Sequence, residues 1–121
     1  MKNETIIRSY FSGWEKNDWN LVESLLADDF TFTSPNDDDH IDKRRYKRKC
    51  WPSAPTFERF NIEKVIENDA EAFAKYEAWT TDGKSFRNAE YFRFRDGKIE
   101  EIQVFFGVPH PAPADSRWPE R

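Results

Sequence analysis

Apolar residues recur at helical spacing at the start of the chain. Ile6, Ile7, Tyr10, Phe11 and Trp14 form one stripe, which predicts a helix from about Asn3 to Lys16. Asn17-Asp18 interrupts the stripe and supplies side chains able to cap a second helix. Trp19, Val22, Leu25 and Leu26 mark that helix's buried face, and it is expected to end near Asp28-Asp29. The period then drops to two: Phe30-Thr31-Phe32-Thr33 reads as a strand. The run Ser34-Pro35-Asn36-Asp37-Asp38-Asp39 has loop chemistry. A short helix is predicted from Ile41 to Cys50, with Ile41, Tyr46 and Cys50 inward, stopped by Pro52 and loosened by Pro55.

From Phe57 the pattern is a meander of long strands over 57–67, 71–80, 84–95 and 98–107. Asn68-Asp69, Asp82-Gly83 and Asp96-Gly97 separate them, and Asp-Gly between alternating runs is a strong hairpin signal, because the turn needs positive φ at both central residues. In the third strand Phe86, Asn88, Glu90, Phe92 and Phe94 share one face, read as concave. Ile102, Val104 and Phe106 join it from the last strand. A tight turn at Asp82-Gly83 places Lys75 opposite Glu90, and puts Tyr76 and Tyr91 on the outer face. Helices first and a strand meander after predict an α+β fold, with N-terminal helices packed on a curved, mainly antiparallel sheet whose concave face is aromatic. One domain is expected over residues 1–108. The segment 109–121 holds Pro109, Pro111, Pro113 and Pro119 and is expected to be a proline-rich tail, docking through Trp118 if it docks at all.

Composition changes this picture in two ways. A mean hydropathy of -0.96 looks too polar for a packed core, but eleven Phe, five Trp and four Tyr supply the buried area. A net charge of -4 weighs against nucleic acid as a partner. A single cysteine, no apolar leader and no long apolar run predict a cytoplasmic protein without membrane contact.

Glu90 is the first candidate for chemistry. Among phenyl rings it is either a desolvated acid able to donate a proton or the partner of Lys75. Tyr10 is either a pocket donor or a core residue, and Trp14 and Trp79 are either packing residues or ligand platforms. His40 is a candidate acid or base at the cavity mouth. Asp37 or Asp39 is a candidate second carboxylate, with Asp39 also placed to cap the next helix. Lys43, Arg44, Arg45, Lys47, Arg48 and Lys49 read as a solvated basic face, and Cys50 as packing. No metal site and no cofactor are expected: histidines are too few, and no glycine-rich phosphate loop occurs.

The ordered set Tyr10-Phe11-Ser12-Gly13-Trp14-Glu15-Lys16-Asn17-Asp18-Trp19, Leu25-Leu26-Ala27-Asp28-Asp29-Phe30 and Ser34-Pro35 resembles the opening of SnoaL-like proteins, within the nuclear transport factor 2 and ketosteroid isomerase superfamily. Tyr91-Phe92-Arg93-Phe94, Asp96-Gly97-Lys98-Ile99 and Gln103-Val104-Phe105-Phe106 are similar to that family's last two strands. The resemblance implies a cone-shaped α+β barrel with an aromatic-lined pocket between helices and sheet, often in a homodimer that pairs sheet faces. It places Tyr10 and Glu90 at the positions of the isomerase's hydrogen-bonding tyrosine and protonated acid, and Ser34 where its base carboxylate belongs. Serine is no base for a carbon-bound proton, so steroid isomerase chemistry is not expected. The leading expectation is binding of a small, largely apolar molecule with a carbonyl or hydroxyl. Glu90 and Tyr10 are its anchors, and Trp14, Ser34, Trp79, Phe86, Asn88, Phe92 and Phe106 are expected around it. The alternatives are an isomerase, cyclase or dehydratase using Glu90 with His40 or a loop aspartate, and a protein-interaction module with a filled core.

Overall fold

The computed structural model describes residues 2–36 and 38–106. Met1, Asp37 and residues 107–121 fall outside it, and with them the expected tail, its Trp118 contact and the Asp37 carboxylate.

Helix α1 (Asn3–Glu15) buries the predicted stripe, with Ile6 and Ile7 fully enclosed. Asn17 then takes a left-handed φ of 55°, and Asp18 accepts a 3.1 Å bond from Leu21 N to cap α2 (Trp19–Leu25). The two helices meet at Gly13, where an added Cβ would stand 2.6 Å from Val22 Cγ2. Val22 is β-branched and fully buried, so it has no free rotamer to retreat into. Gly13→Ala should therefore lower stability: overpacking costs about 1–3 kcal/mol, against about 1 kcal/mol gained in helix propensity. Urea denaturation checks this, and an unchanged midpoint would mean that the helices separate freely.

The chain continues as β1 (Leu26–Ser34), β2 (Asp38–Asp42), α3 (Lys43–Cys50), a 3-10 turn at Trp51–Thr56, β3 (Phe57–Glu67), β4 (Glu71–Thr80), β5 (Ser85–Arg95) and β6 (Lys98–Phe105). One six-stranded sheet forms in the order β2-β1-β6-β5-β4-β3. Every neighbouring pair is antiparallel except β1 with β6. Three boundaries differ from the sequence pattern. The second helix stops at Leu25, and Asp28-Asp29 lie inside β1, where its register with β6 is irregular. The expected loop at Asp38-Asp39 is instead the start of an edge strand, because Ile41 pairs with Phe32 and buries against it. That moves the cap of α3 from Asp39 to Asp42, which accepts from Arg45 N at 2.9 Å.

The two Asp-Gly turns behave differently. Asp96 and Gly97 both have positive φ, 52° and 75°, as a tight hairpin requires. At the other turn Gly83 alone does, at 83°. There the loop spans residues 81–84 and Trp79 pairs with Ser85. That longer loop slips the register by one residue from expectation, and a one-residue slip exchanges the faces of a strand. Glu90 therefore lies opposite Ala74 and not Lys75, and Tyr76 turns inward to pair with Asn88. Lys75 is left on the outer face, 3.9 Å from Glu63.

Helix α1 packs against β3 and β4, where Ala72, Ala74 and Ala78 are buried. Outer-face arginines are paired: Arg87 with Glu63 at 3.0 Å, Arg93 with Glu101 at 2.7 Å, and Arg95 with Asp29 at 2.6 Å. Among the described residues no helix is long and apolar enough to cross a membrane.

Candidate functional site

Between α1, α3, the 3-10 turn and the concave face of the sheet lies a cavity of about 590 Å³. That is within the roughly 300–1,000 Å³ usual for small-molecule pockets, and it removes the filled-core expectation. Its walls are mainly aromatic. Phe11 and Trp14 come from α1, Phe32 from β1, Tyr46 from α3, Phe57 and Phe60 from β3, and Phe86 from β5. The rings brace one another: Phe11 lies 4.6 Å from Tyr76 and Trp14 lies 4.8 Å from Trp51, centroid to centroid. Asn36, Lys49, Ser53 and Phe106 line the cavity yet stay exposed, so they mark its mouth.

At the inner wall stands Glu90, 5% exposed. Its strand neighbours are Ala74 and Val104, neither of which offers a side-chain hydrogen bond. The Tyr76 hydroxyl donates to Glu90 Oε1 and accepts from Asn88 Nδ2 at 3.0 Å. Oε2 is buried with no partner among the described residues. Burial raises the Glu90 pKa to about 7, the Tyr76 bond opposing it in part. The acid is thus part-protonated at neutral pH. Since Oε1 already accepts a proton, Oε2 is the oxygen that carries its own.

Tyr10, beside Glu90 in the cavity lining, bonds the hydroxyl of Tyr46. Burial holds both phenols well above their usual range, so both remain protonated. Two hydroxyls sharing one bond use one of their two protons, and the other is available to a ligand.

A second polar group forms at the mouth. Ser34 Oγ donates to Asp38 Oδ2 at 2.8 Å and accepts from Asn36 N at 3.2 Å, while Lys49 donates to Asp38 Oδ1. Asp38 is 5% exposed, whereas the Lys49 side chain is 44% exposed. Asp38 is a mouth carboxylate not singled out from the sequence; of the two candidates, Asp39 is exposed and bonds His40, and Asp37 lies outside the described residues. Loop composition hid it, and the burial along β2, with Asp38 and Ile41 inward and Asp39 and His40 exposed, follows no strand period that the sequence could show. Cys50 lines the wall nearby as a thiol whose pKa burial pushes up to about 12.

The cavity gathers Glu90, Tyr10, Trp14, Ser34, Phe86, Asn88 and Phe106. It does not include His40, Trp79 or Phe92. His40 lies outside and exposed, at a left-handed φ of 52°, with Nδ1 2.6 Å from Asp39 and Nε2 3.3 Å from Glu101. The Asp39 bond raises its pKa, but the ring is not at the cavity mouth. Trp79 belongs to the outward set of β4, under the Arg59 guanidinium at 4.4 Å. Phe92 sits behind the wall in the core, 5.8 Å from Tyr10. Tyr46, Tyr76, Asp38 and Lys49 were not anticipated as site residues.

The sequence profile described as a SnoaL-like domain matches residues 7–102. No curated protein matches the chain. Among solved structures, a nuclear transport factor 2-like protein of unknown function from Burkholderia xenovorans is 18% identical, with a TM-score of 0.73 over 98% of this chain and 93% of that one. A candidate ketosteroid isomerase from Kribbella flavida is 18% identical at a TM-score of 0.72, covering 97% and 87%. A de novo designed protein with a curved β-sheet reaches 0.73 at 16% identity, covering 88% of each chain. These likenesses concern the fold.

Proposed function

This chain belongs to the SnoaL-like domain family, and from that premise we propose that its cavity binds a small, largely apolar molecule through one carbonyl or hydroxyl oxygen. The observation that carries the reading is Glu90 Oε2, buried in an aromatic chamber with no partner. A ligand oxygen accepting its proton removes a desolvation cost of about 1–3 kcal/mol. The spare phenol proton of the Tyr10–Tyr46 pair supplies a second donor, and the rings supply burial. A neutral ketone such as para-acetylbiphenyl should bind tightest below pH 7. Affinity should fall roughly tenfold per pH unit above it, as the donor ionises. In Glu90→Gln the profile should be flat. Calorimetric titration from pH 5.5 to 8.5 checks this, and a flat native profile removes Glu90 as the anchor.

An enzymatic reading, of isomerase, cyclase or dehydratase type, gains from Asp38, which takes the place His40 was expected to fill. Both Asp38 oxygens are engaged, however, by Ser34 and Lys49. Binding without turnover is therefore preferred.

Self-association is a second reading. Ile66 pairs with Phe73, and Phe73 with Tyr91, across the outer face of β3, β4 and β5. Ile66 is 63% exposed and Phe73 50%. Contiguous apolar surface of this kind suits a homodimer that pairs sheets. Phe73→Lys should shift the solution mass measured by light scattering from dimer to monomer; a native monomer ends the reading. A cytoplasmic location and a lack of nucleic-acid partners are part of the same proposal.

A further inference from the structure

The cavity has two polar poles, and only the inner one is assigned above. The outer pole is Asp38, and its construction is asymmetric. The carboxylate is 5% exposed and is fixed by Ser34 Oγ at 2.8 Å, which the backbone N–H of Asn36 in turn orients. Its cation, Lys49, reaches in from a helix face and stays 44% exposed. The recognition half of the pair is preorganised. The other half is a long, flexible side chain that loses little by withdrawing into water.

Charge and wall chemistry agree on what replaces it. A ligand anion seeking Lys49 would stand within a few ångströms of Asp38 and meet like-charge repulsion. A ligand cation meets a buried carboxylate. It also meets the faces of aromatic rings, whose quadrupoles favour positive charge. Phe32 and Tyr46, 4.7 Å apart, line the same wall as Ser34 and Asp38. An ionised carboxylate left buried without a cation is costly, so an ammonium arriving as Lys49 leaves keeps Asp38 satisfied throughout.

We infer that the ligand is an apolar aromatic amine, whose ammonium displaces Lys49 from Asp38 at the mouth while its far end offers an acceptor to the inner wall. The inference rests on the binding reading above and adds the charge of the ligand to it.

Three para-acetylbiphenyls test it, carrying on the distal ring an aminomethyl, a hydroxymethyl or a carboxylate group. Titration at pH 6 keeps the inner acid protonated and the amine charged. The aminomethyl compound should bind at least tenfold tighter than the hydroxymethyl one. Asp38→Asn, which retains an acceptor for Ser34, should abolish that preference. Lys49→Ala removes the competing cation and frees Asp38 Oδ1, so it should tighten the aminomethyl compound severalfold, and by more than the hydroxymethyl compound. Equal binding of the amine and the alcohol to the native protein overturns the inference and leaves the cavity reading standing. Preferential binding of the carboxylate, weakened by Lys49→Ala, overturns it in favour of an anionic ligand. If none of the three binds, both readings fall. The native comparison needs no variant, so it decides even if Asp38→Asn does not fold.

Discussion

Between pH 4 and pH 8 the native protein should lose stability relative to the Glu90→Gln variant. The reasoning is linkage. The Glu90 pKa is raised from 4.5 to about 7 by burial. Below 4.5 the folded and unfolded chains both hold the proton. Between 4.5 and about 7 only the folded chain holds it, so each rise in pH favours the unfolded state. Above about 7 both are ionised and the loss is complete, at roughly 3 kcal/mol for this displacement. Gln carries no such dependence. It keeps an acceptor for Tyr76 but places an amide N–H where Oε2 stood, so a constant offset is expected as well. The readout is therefore the change in the stability difference with pH, taken from urea unfolding at several pH values. Parallel curves for the two proteins would show that Glu90 is solvated in the folded state.

Phe92→Ala should cost about 3–5 kcal/mol of stability and leave the protein largely unfolded at moderate temperature. Phe92 is fully buried, with ring contacts to Tyr10 at 5.8 Å, Phe11 at 6.2 Å and Phe94 at 6.3 Å. It supports the residue that supports the cavity. Phe86, by contrast, lines the cavity and is only half-buried, so Phe86→Ala should cost less stability and more ligand affinity. A thermal melt and a ketone titration on both variants separate the roles. If Phe92→Ala melts like the native protein, the core is built elsewhere.

Much of the frame was legible because periodicity reports burial directly. The stripe Ile6, Ile7, Tyr10, Phe11 and Trp14 is the buried face of α1, and the alternation through Phe86, Asn88, Glu90, Phe92 and Phe94 is the inner face of β5. What periodicity does not report is register. Asp-Gly predicts a tight turn at both sites, yet the residues around Asp82-Gly83 open a longer loop. Thr80 N donates to Lys84 O, and Lys84 N donates to Asp82 Oδ1. That single slip separated Glu90 from Lys75 and brought Tyr76 to it. The outer pole was hidden differently. Ser34 to Asp39 carries no apolar alternation, so nothing in its pattern separates a loop from the start of an edge strand. The Lys49–Asp38 pair depends on a strand and a helix whose approach no local pattern encodes. Face assignment explains the remaining errors. Trp79 and His40 carry suggestive chemistry, but the fold turns both outward.

The parallel pairing of β1 with β6 has a consequence for how the chain is made. The sheet's interior seam joins an early strand to the last one described, so every element from α1 to β5 is synthesised before that seam can close. The β3-β4-β5 meander involves only near neighbours and is free to form during synthesis. Helix α1 can dock on β3 and β4, whereas the β1-β2 hairpin must wait for β6 to join the sheet. Contacts this distant along the chain slow folding, so the rate-limiting event should be the docking of β6 on β1.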